Sequence, residues 1–309
     1  MRAAAAIRHQ LGEHPLDWLA ALLLSWLLPL GLAGHVWKLS YRLSLLFWAV
    51  PIVLLLPRFI SRSRGRPEVR RAFWLTFLYV FIAGCFLDFI LGSWILKFDE
   101  HGDYLVRFCS LSDPDEFVPL EEVLFYILGA MAIILTYCWA DDYWLMKYKV
   151  APEDQQPPPR LVIFSPQALA TGAFLLVFGI VLGSAYKGEF HVPLYYVFLD
   201  VVAFIPAVAL YRAVKQRVNW RAFSFTTLWV LLTSTIWEVT LALPNKWWGY
   251  ERDAMIGIWV DVWQFGEWAY PIEAMLVWLV VTFTCVLTFE AVKVYRADAR
   301  PARQRLFGP

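Results

Sequence analysis

The sequence predicts an all-α, polytopic membrane protein from three observations. Sixty per cent of its 309 residues are hydrophobic and 17% are charged, whereas soluble domains hold about 45–50% apolar and ~25% charged residues. The apolar residues form runs of about 20, the length that crosses a bilayer as a helix. Basic residues gather in alternate connecting segments, as in multi-pass membrane proteins. The net charge of +1 also excludes a strongly basic nucleic-acid-binding protein.

The apolar runs predict eight membrane-spanning helices. A helix satisfies its own backbone hydrogen bonds, so a helical bundle is the structure expected in lipid. The predicted spans are residues 17–34, 44–60, 72–96, 119–140, 167–186, 192–211, 222–244 and 269–292.

The connecting segments predict the orientation of the bundle. Twenty Lys and Arg residues fall on the side that holds both termini, and seven fall on the other side. Because basic loops stay in the cytoplasm, both termini are predicted to be cytoplasmic, in a multi-pass protein of the cytoplasmic membrane. The longest loops on the opposite side, at about 97–118 and 245–268, are longer than a helix connection needs. They are expected to act as lids or to help form a site.

The two halves of the chain, 1–150 and 151–309, share one span pattern. Arg71-Ala72-Phe73 and Arg221-Ala222-Phe223 open corresponding spans at an offset of 150 residues, and Pro119-Leu120-Glu121 and Pro271-Ile272-Glu273 do so at an offset of 152. Each half has four predicted spans, an even number, so both halves have the same orientation. The sequence therefore predicts a parallel repeat with a pseudo-twofold axis along the membrane normal.

Carboxyl groups at five positions lie in the non-cytoplasmic half of these spans. They are Asp88, Glu121, Glu122, Glu238 and Glu273. A charged side chain within a span costs at least ~2.5–3.5 kcal/mol, so such residues usually face the bundle interior and have a function. The alternatives are helix-dipole stabilisation for the three acids at helix starts and a packing hydrogen bond for the other two. For Asp200, which has no acidic counterpart, a structural and a functional role are both open.

Tryptophans cluster around the acid-bearing ends of the spans. They are Trp94, Trp237, Trp247, Trp248, Trp259, Trp263 and Trp268. An interfacial aromatic belt is one explanation for them, and attraction of a cation to aromatic faces is another. A carboxyl group buried away from water favours its neutral form, which can donate a proton. Acids beside aromatic walls therefore suit protonation of an alkene and stabilisation of the resulting carbocation.

The motifs point to one family. Pro119-Leu120-Glu121-Glu122, followed by Phe125-Tyr126, resembles the Pro-x-Glu-Glu signature of the membrane-integral lycopene cyclases, the flavin-independent type that is heterodimeric or fused. Pro271-Ile272-Glu273 resembles a second copy of that signature. Trp248-Gly249-Tyr250, with Glu238 upstream, resembles the acid–Trp-x-Tyr stretch that precedes the signature.

This resemblance implies a non-redox isomerase that closes an ionone ring on the ψ-end of lycopene. It implies acid/base roles for Glu121, Glu122 and Glu273, with Glu121 or Glu273 as proton donor and Asp88 or Glu238 as partner or final base. The predicted substrate contacts are Trp94, Phe125, Trp237, Trp248, Tyr250 and Trp278. Two departures bear on whether the halves are equivalent: Ala274 replaces the second acid, and the first half has Trp94 and Phe98 in place of Trp-x-Tyr.

No cofactor or metal is expected. The chain has no GxGxxG after a strand, which a Rossmann flavin site needs, and its five histidines lack the spacing of a di-iron site. The predicted partners are a carotenoid or other polyene substrate, the lipid bilayer, and a second copy of the chain or other carotenoid-pathway enzymes. Two alternatives stay open. One is another membrane terpenoid cyclase or isomerase, and the other is a proton-coupled transporter with parallel repeats, which the matching Pro57 and Pro206 favour.

Overall fold

A computed structural model describes residues 40–99, 102–111, 115–149, 195–260 and 269–297, with isolated positions in 166–177 and 301–304. The predicted span 17–34 lies outside the described residues, and so does most of 167–186.

Helices dominate the described part of the chain. Their bounds are α1 Tyr41–Ser44, α2 Leu46–Arg62, α3 Pro67–Ile95, α4 Leu120–Trp139, α5 Tyr195–Val214, α6 Trp220–Trp237 and α7 Ile272–Ala297. A wider π-helical turn extends α4 through Ala140–Trp144, and another extends α6 through Glu238–Ala242. Short 3₁₀ turns occupy Met146–Tyr148 and Arg252–Ala254.

Within the described residues, five helical segments are long and apolar enough to cross a membrane. They are Tyr41–Arg62, Pro67–Ile90, Leu120–Trp144, Trp220–Ala242 and Ile272–Tyr295. The prediction of a helical membrane protein is therefore confirmed.

Local sequence signals account for several helix starts. Pro67 occupies the first turn of α3, where its missing N–H costs no hydrogen bond. Pro119 is extended and immediately precedes α4. The Asn219 side chain caps α6 by accepting a hydrogen bond from the Ala222 N–H at 3.2 Å.

Short antiparallel ribbons join the outer ends of the helices, so the all-α prediction is incomplete. The strands are β1 Leu96–Phe98, β2 Arg107–Cys109, β3 Phe117–Pro119, β4 Trp248–Tyr250, β5 Trp259–Val260 and β6 Tyr270–Pro271. The pairs are β1 with β4, β2 with β3 and β5 with β6. Segments of two or three residues are too short for a periodic pattern to predict them.

The ribbons repeat along the chain. Arg107 pairs with Pro119 in one ribbon, and Trp259 pairs with Pro271 in another. Each residue of the second pair lies 152 positions after its counterpart in the first pair. In the third ribbon Lys97 pairs with Gly249, and these two residues are themselves 152 apart. A contact between positions at this same offset is compatible with a local twofold axis.

Helix packing follows the same correspondence. Helix α2 packs on α4 as α5 packs on α7, and α3 packs on α4 as α6 packs on α7. The cross-contacts of α3 with α7 and of α6 with α4 form one apolar core. At one end of this core, ion pairs such as Arg66–Asp142, at 2.7 Å, tie the helix ends together. The ribbons lie at the opposite end.

Candidate functional site

A cavity of about 110 Å³ lies between α3, α4 and α7, beneath the ribbon of β1 and β4. The carboxyl groups of Asp88, Glu122 and Glu238 line it, and most of the remaining lining is apolar or aromatic. All three acids are less than 5% exposed. The structure thus brings together three of the five acids that the sequence singles out.

Asp88 lies near the outer end of α3 and receives a hydrogen bond from the Tyr126 hydroxyl of α4. Two glycines of α3 make room for this pair. A Cβ atom on Gly92 would lie 2.8 Å from Asp88 Oδ1, and one on Gly84 would lie 3.0 Å from the Tyr126 ring. These glycines have a steric role that the sequence analysis missed, although Gly92 lies one turn after Asp88 on the same helix face.

Glu122 lies in the first turn of α4. The Tyr41 hydroxyl donates a hydrogen bond to Glu122 Oε2 at 2.6 Å. The Tyr41 ring stacks on Trp247, with the ring centroids 5.4 Å apart. No sequence signal identified Tyr41, because it lies in a short helix before the second predicted span.

Glu238 lies in the π-helical turn that ends α6. It accepts hydrogen bonds from the Tyr250 hydroxyl of β4 and, at 3.2 Å, from Trp278 Nε1 of α7. π-Helical turns within α-helices are frequent at functional sites. Here the turn lies where the carboxyl group meets the cavity.

The donors to Asp88 and Glu238 occupy corresponding positions in the two halves. Tyr126 of α4 and Trp278 of α7 are 152 residues apart, and the two acids that they contact are 150 apart. Glu122 breaks this symmetry, because Ala274 occupies the corresponding position in α7. The cavity is therefore formed by both halves but is not symmetric.

The three carboxyl groups influence one another and have no cationic partner within the described part of the chain. Glu122 lies within electrostatic range of both Asp88 and Glu238. Among the described residues, no Lys or Arg forms an ion pair with any of the three. In the same part of the chain, no three His, Cys, Asp or Glu side chains are grouped closely enough to hold a metal ion. An ionised carboxylate in such surroundings is costly, so the arrangement favours neutral, proton-donating acids.

Aromatic side chains form the rest of the wall in two layers. Phe125, Trp248, Tyr250 and Trp278 line the cavity, as predicted for substrate contacts. Trp237 lies behind them and stacks on Phe125, with the ring centroids 5.0 Å apart. Trp237 is not among the residues that line the cavity, and its predicted contact with substrate, like those of the four lining residues, stays a prediction. The Trp94 side chain lies outside the described residues.

Glu121 and Glu273 are fully buried but do not line the cavity. Glu121 Oε1 accepts a hydrogen bond from the backbone N–H of Leu105 at 2.9 Å, and Glu273 Oε1 accepts one from that of Ile256. The geometry thus places both acids against the outer loops. Neighbouring residues of a helix point about 100° apart, so Glu121 and Glu122 face different surroundings.

Asp200 is buried in α5, and neither of its carboxyl oxygens has a hydrogen-bond partner among the residues that the structure describes. It is near enough to Glu273 for the two side chains to interact electrostatically. It does not line the cavity.

No protein-family model, curated protein or solved structure matches the chain. The residues and geometry of the cavity therefore provide the basis for assigning a function.

Proposed function

We propose that this protein is a membrane-integral carotenoid cyclase that closes an ionone ring on a ψ-end of lycopene without redox chemistry. The observation that carries the proposal is the cavity itself. Three buried carboxyl groups, each with a hydroxyl or indole donor, lie in one aromatic pocket at the end of a helical membrane bundle.

The proposed reaction begins when one of these acids donates a proton to the terminal double bond of the ψ-end. The tertiary carbocation that results is attacked by the neighbouring internal alkene, which forms the new carbon–carbon bond and moves the positive charge to another ring carbon. A carboxylate among the three cavity acids then removes a proton from the cation, and the ring double bond forms. One proton enters and one leaves, so the reaction is an isomerisation.

The roles follow from position. Asp88, Glu122 and Glu238 are the proposed acid/base groups because they line the cavity. Phe125, Trp248 and Trp278 present aromatic faces that stabilise a passing cation. The cavity volume of about 110 Å³ is of the order of the ~150 Å³ apolar cavity that binds benzene. It suits the enclosure of one end group rather than a whole polyene.

The proposed architecture is an eight-span bundle of two parallel four-helix repeats, with both termini in the cytoplasm. The ribbons related by an offset of 152 residues support the repeat, and so does the pairing of Lys97 with Gly249. The excess of Lys and Arg in alternate loops supports the orientation.

Two other functions are distinguishable from this one. A related terpenoid cyclase or isomerase would use the same acids on a shorter or oxidised polyprenyl chain. A proton-coupled transporter is less favoured, because α2 and α5 continue through Pro57 and Pro206. Transporters of this kind commonly place discontinuous helices at their binding sites.

Expression in a lycopene-producing bacterium tests the proposal. The carotenoids are extracted and separated by chromatography, and their molecular masses are measured by mass spectrometry. An immunoblot of the membrane fraction verifies that the protein is inserted. We expect a product with the mass of lycopene and a shorter-wavelength absorption, because crowding around the new ring twists the ring double bond out of the plane of the polyene. Unchanged lycopene in cells that carry correctly inserted protein would contradict the proposal. A product heavier by one water would indicate hydration of the cation instead.

A further inference from the structure

The two acids outside the cavity, Glu121 and Glu273, each accept a hydrogen bond from a backbone N–H of a loop. Glu121 lies in the first turn of α4 and accepts a hydrogen bond from the Leu105 N–H. Glu273 lies in the first turn of α7 and accepts one from the Ile256 N–H. A backbone hydrogen bond lies beside each of these contacts. In the first half the Val106 carbonyl, one residue after the donor, accepts a hydrogen bond from the Leu120 N–H at 2.9 Å, and in the second half Ile258 is two residues after the donor. The equivalent contact in the second half joins Ile258 and Ile272 at 3.0 Å. Both loops are therefore anchored to the first turn of a helix by the same device.

The first anchor reaches the cavity through Tyr104. This residue precedes Leu105, and its hydroxyl donates a hydrogen bond to the Trp247 carbonyl at 2.7 Å. Burial raises the pKa of Tyr104 above its usual value, so the hydroxyl remains a donor at neutral pH. Trp247 immediately precedes β4, and two residues of that strand line the cavity.

The second anchor reaches the same strand from its other end. Ile256 follows the turn Arg252–Ala254, which is joined to β4 through Glu251. The Glu251 N–H donates to the Ile95 carbonyl at 2.9 Å, and its carboxylate pairs with Lys97 at 2.6 Å. Strand β4 is thus held before Trp248 and after Tyr250.

We propose that Glu121 and Glu273 are positioning residues that hold β4 from both ends and thereby keep the Tyr250 hydroxyl on Glu238. The effect of these residues on turnover rests on the proposed function, whereas the anchoring itself does not. The second oxygen of each carboxyl group is buried and has no hydrogen-bond partner within the described part of the chain. Glutamine retains one carbonyl oxygen as acceptor, so it should replace either acid without loss of the anchor.

Hydrogen–deuterium exchange on the full-length protein in detergent micelles tests the anchoring. The variants are Glu121→Ala, Glu121→Gln, Glu273→Ala and Glu273→Gln. We expect each alanine variant to speed exchange in its own loop, around 104–106 or 255–257, and in 247–251. The glutamine variants should keep wild-type protection. The matched control is Glu122→Ala, one residue away, which should leave the Leu105 amide protected because Glu122 accepts from Tyr41. Wild-type protection in the alanine variants, or equal loss in the glutamine variants, would overturn the proposal.

A milder variant keeps the test decisive if the alanine variants do not fold. Tyr104→Phe retains both acids and removes the hydroxyl that bonds to the Trp247 carbonyl and to the Asp99 backbone. Exchange should rise in 247–251 while the Leu105 amide stays protected. Unchanged exchange in 247–251 would show that this link does not hold β4, and would overturn the proposal.

Turnover provides the functional readout. We expect the glutamine variants to cyclise lycopene at nearly the wild-type rate. The alanine variants should lower turnover by about 3- to 10-fold, the factor that corresponds to the net contribution of one ordinary hydrogen bond, with an unchanged KM. A glutamine variant at position 121 that is as inactive as Glu122→Gln would make Glu121 an acid/base group and overturn its positioning role. If the wild-type protein cyclises nothing, the exchange pattern still decides the anchoring, so the two proposals fail separately.

Discussion

The Asp88 carboxyl group occupies space that Gly92 leaves open one turn further along α3. A Cβ atom at position 92 would lie 2.8 Å from Asp88 Oδ1 and 3.2 Å from Asp88 Cγ. The first of these distances is shorter than non-bonded atoms approach in folded proteins. The glycine therefore allows the side-chain direction that places this acid in the cavity.

Gly92→Ala should displace Asp88 and lower cyclisation at least tenfold, while the strain of overpacking costs ~1–3 kcal/mol of stability. Product formation per inserted protein and thermal unfolding in micelles measure the two effects. The control is Gly65→Ala, because a Cβ there meets nothing within 4 Å. Equal activity of the two variants would show that Asp88 has other ways to reach the cavity.

The cavity acids should each be sensitive to loss of the exchangeable proton. Glu122→Gln keeps the shape of the side chain but cannot donate an acidic proton, and we expect turnover to fall by about 10²- to 10⁴-fold. Asp88→Asn and Glu238→Gln should also lose activity. Glu68→Gln, in the first turn of α3 and outside the cavity lining, is the matched control. Near-normal turnover in all three cavity variants would remove acid catalysis from the account.

Turnover should depend more on the indole N–H of Trp278 than on the size of its ring. Trp278→Phe removes the donor to Glu238, and we expect about a tenfold loss of turnover. Trp48→Phe makes the same change on a ring that stacks on Trp278, with the ring centroids 5.2 Å apart, but whose Nε1 has no hydrogen-bond partner among the described residues. It should lower stability with a smaller effect on turnover. Equal losses of turnover would attribute the Trp278 effect to packing.

Tyr104 should make stability depend on alkaline pH. Burial raises its pKa above the value in the unfolded chain, which is ~10. Its contribution is therefore complete below about pH 10 and is lost as the pH rises toward the folded value. The thermal unfolding temperature, measured between about pH 8 and about pH 11, should fall more steeply with rising pH for the wild-type protein than for Tyr104→Phe. Parallel curves would show that this hydroxyl does not titrate differently on unfolding.

The sequence predicted the long described helices and three acids that line the cavity, because long apolar runs and intramembrane acids are strong signals. It was not sufficient to separate Glu121 from Glu122. Their neighbouring positions reveal that they face different directions, but only tertiary packing decides which one meets the cavity. The supporting position of Trp237 and the donor role of Tyr41 also depend on contacts between segments far apart in the chain.

Deuterium incorporation during turnover tests the central claim most directly. Membranes that contain the protein are supplied with lycopene in D₂O. The molecular mass of each product is measured by mass spectrometry, and the carbon that carries deuterium is identified by NMR. Proton-initiated cyclisation predicts one deuterium per ring closed, on the carbon that receives the proton, and no product in membranes that contain Glu122→Gln. A cyclic product without deuterium, or unaltered lycopene beside correctly inserted protein, would contradict the claim.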